Sequence, residues 1–336
     1  MVLLFNYKLV ISQLKNPLQK EGGAIDLIKV CDSANEGDHH YKYCKSKKQY
    51  IYKVIDALKD VKRNCKDIFK YKQFDCDIDR MDVETRTHFL TRATKENIYF
   101  HAITFAGIAW YFAKACSNFA KCNCTFTTSK KLSEKCFAGM KFGEKSSLIF
   151  FEKFKLLPFL PSSVKMTSEV KNMINYAHNF GLANVKKSIY TTCNCTTANL
   201  IYCPFQICSP ELPSLRRIFN DLYKLYRKAY FNKHNETYLK LQKSNVTSPK
   251  GIIFTDKSPN FCTKSPSVGS MGVVGRECDP NHNARPLENR CEILCCNNVY
   301  NLIQKTIRTK CKCKHCFDCS YSKYFGVCTD KKSNLG

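Results

Sequence analysis

The chain has 336 residues, long enough for about two domains. Lys and Arg number 54 against 28 Asp and Glu, a formal net charge of +26, yet 44% of residues are apolar and 12% aromatic, which excludes a disordered tail. Thirteen Gly and eleven Pro exclude collagen and Pro-rich low-complexity chains.

In chain order, Met1 to Phe5 is apolar, but Asn6, Tyr7 and Lys8 interrupt it before Leu9. Residues 1–30 are therefore expected to hold a degenerate or missing signal peptide. Ile51, Val54, Ile55, Leu58, Val61 and Ile68 have helical spacing, and Cys65 falls on the same face, so a helix is expected from Tyr50 to Ile68. Glu96 to Cys116 is apolar nearly all round and reads as the central buried helix. It is no membrane span: its best run, Ile98 to Ala113, carries His101, Thr104 and Gly107 and falls short of the roughly 20 apolar residues required. Ser168 to Ile189 is a weaker helix with Met173, Ile174 and Ala177 inward. Leu215 to Ala229 is amphipathic, with Leu215, Ile218, Leu222, Leu225 and Ala229 inward and Arg216, Arg217, Lys224 and Arg227 wet. These elements make a helical domain over 31–238. A polar linker is expected at 239–250, then a small, β-poor, cysteine-rich domain over 251–336, with short runs at Gly251–Phe254 and Asn298–Ile307.

The 22 cysteines are even in number and run from Cys31 to Cys328. In an oxidising secretory compartment they would pair as disulfides. Four glycosylation sequons, at Asn123, Asn194, Asn235 and Asn245, point the same way. The run Cys311-Lys-Cys313-Lys-His315-Cys316-Phe-Asp-Cys319 has the ingredients of a zinc site, but two clean Cys-x₂-Cys knuckles at finger separation are missing, so no metal is expected. Gly269, Gly272 and Gly275 read as turn glycines rather than a phosphate loop. With no Gly-x-Ser-x-Gly and no His-Glu-x-x-His, neither an enzyme nor a cofactor is expected. The positive charge is spread along the whole chain without an aromatic-interleaved basic motif, which argues against nucleic acid. In a secreted protein the natural polyanion is heparan sulfate, and a generally solvated basic surface is the plain alternative.

As a set, these spaced motifs resemble the Wnt family of secreted signalling proteins, from Cys31 to Cys328. Phe74-Asp75-Cys76 stands where the family has Trp-Asn-Cys. Glu96 through Ala102-Ile103 and Ala106-Gly107, then Lys114-Ala115-Cys116-Ser117, is similar to the family's "ETAF..AI.SAGV…RACS" helix. Gly181 and Val185-Lys186-Lys187 precede Cys193 at family distances, and Cys203-x₄-Cys208 leads into Leu212-Pro213. Ser258-Pro259-Asn260-Phe261-Cys262 and Cys291-Glu-Ile-Leu294-Cys295-Cys296 complete the likeness.

The resemblance implies an α+β, disulfide-rich fold. A saposin-like helical N-terminal domain carries a disulfide-braced thumb hairpin at 193–208. A small cysteine-rich, cystine-knot-like β domain carries a finger at 311–319. Both hairpins would grip a Frizzled-type receptor. A co-receptor of the lipoprotein-receptor-related class and heparan sulfate are further implied partners, in the extracellular space or matrix. The family's pairing, carried over, is Cys65–Cys76, Cys116–Cys122, Cys124–Cys136, Cys193–Cys208, Cys195–Cys203, Cys262–Cys296, Cys278–Cys291, Cys295–Cys328, Cys311–Cys319 and Cys313–Cys316, leaving Cys31–Cys44.

Two departures stand out. The family's thumb tip holds an acylated serine. Here the tip runs Cys195-Thr-Thr-Ala-Asn-Leu-Ile-Tyr-Cys203, one residue longer and without serine, so no acylation is expected and Asn199, Leu200, Ile201 and Tyr202 are the receptor-facing residues. The finger lacks the family's apolar tip and its adjacent cysteine pair, leaving Lys314, His315 and Phe317. The implied function is a Wnt-like ligand without a thumb lipid. Alternatives are a Wnt-derived antagonist or acyl-independent signal and, from another class, a basic zinc- or nucleic-acid-binding protein.

Overall fold

A computed structural model describes residues 27–38, 40–118, 131–154, 159–160, 164–195, 206–232, 238, 251–296, 299–309 and 319–330. The helices are α1 (Leu27–Asp32), α2 (Tyr41–Phe69), α3 (Val83–Thr91), α4 (Lys95–Asn118), α5 (Lys131–Phe154), α6 (Ser168–Ser188), α7 (Leu215–Tyr226) and the short α8 (Cys291–Leu294). The strands are β1 (Tyr190–Cys195), β2 (Gln206–Glu211), β3 (Tyr230–Phe231), β4 (Ile253–Phe254), β5 (Lys264–Ser265), β6 (Ser270–Met271), β7 (Glu277–Cys278), β8 (Tyr300–Thr309) and β9 (Cys319–Cys328). Two units result: described residues up to 64 group with those between 90 and 258, and residues 65–89 group with those from 259 onward.

In the first unit α4 is the axis. Ile98, Phe100, Ile103, Phe105, Ile108 and Phe112 are wholly buried, as expected of a helix apolar on every side. Neighbouring helices approach it at glycines. A Cβ on Gly143 of α5 would strike the Ala109 carbonyl, and one on Gly181 of α6 would strike the Ala102 carbonyl. α6 starts at its cap, Thr167, whose hydroxyl accepts from the Val170 N–H at 3.3 Å. α7 turns Leu215, Ile218, Phe219 and Leu222 inward and is capped by Ser214. It ends at Tyr226, short of the expected Ala229.

α2 begins at Tyr41 rather than the expected Tyr50 and is kinked at Lys47. Its first turns are held from outside the helix. Cys44 is bonded to Cys31, and Tyr43 packs edge-on to Phe150 and Phe154 at 6.0 and 5.6 Å. α5 has no clean apolar period, because its inward face includes Gly143 and Ser147 beside Met140, Phe150 and Phe151. A small residue that lets a backbone approach carries no hydrophobic signal.

The second unit has an aromatic centre. Phe74 stacks on Phe89 at 5.2 Å and meets Phe69 and Phe261 at 5.0 and 5.1 Å. Arg276, only 7% exposed, donates to the carbonyls of Phe69, Lys70 and Gln73 at 2.9 Å and also to that of Lys72. It thereby satisfies the open carbonyl end of α2, where a cation also suits the helix dipole. Gly269, Gly272 and Gly275 all have positive φ, the turn conformation their sequence suggested.

This unit is less β-poor than the sequence reading held. β8 and β9 pair antiparallel over ten residues each, from Tyr300↔Cys328 to Thr309↔Cys319, in a sheet ordered β7-β9-β8. Leu302 is 61% exposed and Tyr324 56% exposed, so over most of its length the hairpin buries neither face and needs no alternating pattern.

Candidate functional site

The hairpin at the position expected for the thumb shaft is β1 and β2, set between α6 and α7. α6 ends at Ser188, Ile189 is already extended, and β1 starts at Tyr190. The register runs from Tyr190↔Glu211 to Cys195↔Gln206, with the Tyr190 hydroxyl donating to Glu211 at 3.2 Å. Cys193 and Cys208 lie directly opposite, 4.0 Å apart at Cα, and are bonded. The return strand is anchored on the axis helix: the indole of Trp110, the single tryptophan of the chain, donates to the Pro213 carbonyl at 2.8 Å. Lys114 sits 4.7 Å over the same ring. Sequence reasoning did not single out Trp110, whose signal was a lone tryptophan inside the helix expected to be buried. The shaft is exposed from Cys193 to Cys195, including the sequon residue Asn194.

The hairpin flanking the expected finger is β8 and β9, and its base holds cystines. Cys278–Cys291 and Cys295–Cys328 are bonded, with the Cys278 and Cys295 sulfurs 3.6 Å apart and Leu294 packed against them. Gly326 is required here, since a Cβ would strike the sulfurs of Cys291 and Cys278. Lys305 and Lys323 face each other across the ladder, a like-charge pair that repels. Each has its own carboxylate: Lys305 pairs with Glu277, and Lys323 with Asp279 at 3.6 Å. Both ammonium groups also lie over the Phe325 ring, at 6.0 and 5.2 Å.

Asn199, Leu200, Ile201, Tyr202, Lys314, His315 and Phe317 lie outside the described residues, as do Asn123, Asn235 and Asn245 and the Cys311–Cys316 part of the zinc candidate. Six bridges are described: Cys31–Cys44, Cys65–Cys76, Cys193–Cys208, Cys262–Cys296, Cys278–Cys291 and Cys295–Cys328. Cys116 and Cys195 are also disulfide-bonded. The sulfurs of Cys278, Cys295 and Cys328 gather closely enough for a metal ion, but all three are spent in bridges and hold no thiolate to offer.

A cleft of about 820 Å³ in the second unit is lined by Arg80, Asp82, Thr85, Thr263, Lys264 and Asp330, among others. Its two cations and two carboxylates balance, so it favours neither sign of ligand. The Asp82 carboxyl is held below its usual range, first by the Thr85 N–H. In the first unit two imidazoles are buried, His101 at 1% and His178 at 4% exposure. Burial pushes the His101 pKa down to about 4 and takes His178 well below its ordinary value, with His101 adding to the effect. Among the described residues no helix is long and apolar enough to cross a membrane.

A model of the Wnt family matches residues 35–333, nearly the whole chain. The chain belongs to the Wnt family. Among Wnt relatives, Wnt-2b-A of Xenopus laevis is 22% identical over 305 residues, covering 89% of this chain and 86% of the relative. Wnt-11 of Gallus gallus is 24% identical over 329 residues, covering 93% and 85%. The solved structure of human WLS in complex with WNT8A matches with a TM-score of 0.57 at 22% identity, over 84% of this chain and 95% of that one. That likeness establishes a shared Wnt fold. Wnt proteins are secreted signalling ligands of development rather than enzymes, which places this chain in the Wnt signalling class.

Proposed function

We propose that this Wnt-family chain is a secreted ligand that engages a Frizzled-type receptor through its thumb and finger without a lipid on the thumb. One observation carries the reading: a thumb shaft braced by Cys193–Cys208 leads into the loop Cys195–Cys203, which contains no serine. Thr196 and Thr197 are the nearby hydroxyls and stand at the wrong place in the loop. A buried acyl chain contributes up to about 0.8 kcal/mol per CH₂, whereas a fully buried Leu200 or Ile201 supplies roughly 2–3 kcal/mol. The receptor contact is therefore weaker than that of an acylated ligand.

The absent serine and the shortened finger together favour a second reading, an antagonist or acyl-independent signal that occupies the receptor without activating it. Heparan sulfate and a lipoprotein-receptor-related co-receptor are the further partners, the first drawn by the +26 charge. The corresponding domain proposal is 31–238, a linker at 239–250 and 251–336, with residues 65–89 of the first segment lent to the second compact unit.

Mass spectrometry of the Cys193–Cys208 peptide tests the lipid. The unmodified mass is expected, and a monounsaturated sixteen-carbon increment on Thr196 or Thr197 defeats the proposal. Titration of a Frizzled cysteine-rich domain, with and without a signalling readout, separates the two readings: binding with activation supports a ligand, and binding without it an antagonist.

A further inference from the structure

Two covalent chemistries meet on the first strand of the thumb. Asn194 heads the acceptor sequence Asn194-Cys195-Thr196, and such sequons belong to open surface loops. In the folded protein Asn194 instead lies within β1, opposite Ile207 of β2. Cys193, bonded to Cys208, precedes it, and the disulfide-bonded Cys195 follows it. The Asn194 side chain is exposed, so the finished hairpin has room for a glycan. What the finished hairpin withholds is its backbone. A transferase must bend the acceptor backbone at its asparagine, and a ladder that pairs Asn194 with Ile207 and Cys195 with Gln206 holds that backbone extended.

We propose that glycosylation of Asn194 competes with closure of the thumb disulfides, so that the redox state of the folding chain sets whether the thumb shaft carries a glycan. This rests on the reading of the chain as an exported glycoprotein and adds what regulates one of its sites. The glycan comes from a lipid-linked oligosaccharide pyrophosphate. Its C1–O bond to the pyrophosphate breaks, a C1–N bond forms at Asn194 Nδ2, and an amide proton leaves with the lipid pyrophosphate. In the rival reaction the thiols of Cys193 and Cys208 lose two protons and two electrons to a disulfide-bearing oxidoreductase, which becomes a dithiol.

The two reactions share a time window. Cys208 follows Cys193 by 15 residues, and at roughly 5–20 residues per second of synthesis it emerges about 1–3 s later. Hairpin pairing then takes microseconds and is reversible, while oxidation over seconds or longer locks it. Asn235-Glu-Thr and Asn245-Val-Thr contain no cysteine and face no such rival.

The test expresses the full chain in secretory host cells and measures occupancy at Asn194, Asn235 and Asn245. Enzymatic deglycosylation in heavy-oxygen water is followed by peptide mass spectrometry of total cellular protein, so a variant that fails to fold is still counted. Asn194 is expected to be partly occupied. Its occupancy at least doubles in Cys208→Ser and under a pulse of membrane-permeant thiol reductant, while Asn235 and Asn245 stay unchanged. Thr196→Ala abolishes the Asn194 signal alone. Occupied Asn235 and Asn245 with Asn194 unresponsive, whether empty or full, overturns the competition. All three sites empty overturns the exported-glycoprotein reading instead.

Discussion

The first unit is built around α4, whose Ile98, Phe100, Ile103, Phe105, Ile108 and Phe112 are wholly buried, with glycines letting other helices close on it. A buried cluster of the second unit is Cys278, Cys291, Leu294, Cys295 and Cys328, with Tyr300 packed against it: four of these six residues are cystine halves. Long helices supply enough apolar area to hold themselves together. Short strands, turns and a hairpin exposed over most of its length supply less, so in the second unit crosslinks add to what burial supplies. Arg276 fits that pattern, because it closes the end of α2 with hydrogen bonds rather than apolar contact.

The comparison breaks most visibly if one crosslink is removed. Cys295–Cys328 spans 33 residues, and opening it as Cys295→Ser should cost the second unit about 4 kcal/mol on the loop-entropy estimate. Hydrogen-exchange mass spectrometry should show protection lost from β7, β8 and β9 and kept in α4. Equal loss in α4 would mean that the two units fold as one.

Acid should act on the other unit. His101 is neutral when folded, with its pKa pushed down to about 4, while in the unfolded chain it titrates at its ordinary value of 6.5. Above pH 6.5 neither state is protonated and nothing changes. As pH falls from 6.5 towards 4 the unfolded chain takes up a proton that the folded one refuses, and stability drops by up to about 3 kcal/mol. Trp110, the single tryptophan, lies in the first unit, so the urea midpoint of its fluorescence should fall across this range. A flat midpoint, or a slope that His101→Gln leaves intact, would contradict this.

Glycine substitutions give the smallest and sharpest contrast. Gly181→Ala drives a methyl into the Ala102 carbonyl and should cost about 2 kcal/mol, read as a lower Trp110 midpoint. Gly326→Ala meets the Cys291 and Cys278 sulfurs, so it should lower hydrogen-exchange protection in β9 and leave the Trp110 midpoint alone.

The axis helix, the two amphipathic helices after it and the turn glycines were legible from residues alone, because each buries a face that its own local period encodes. Family membership was legible from cysteine spacing and short motifs, and the thumb and finger residues only through that resemblance. Asn199 and Lys314, expected from the resemblance to face a receptor, are polar residues with no periodicity of their own to mark them. Tertiary structure alone decided the rest. Residues 65–89 joined the cysteine-rich unit, where Cys65 bonds Cys76 and the carbonyls of Phe69, Lys70 and Gln73 find the Arg276 guanidinium some two hundred positions later. The same holds for α5, whose contact face is partly glycine and serine, and for Asn194, which stands in a paired strand instead of a loop. In each case the determining partner is distant in sequence: a carbonyl, a sulfur or an opposing strand contributes nothing to the periodicity of the segment it fixes.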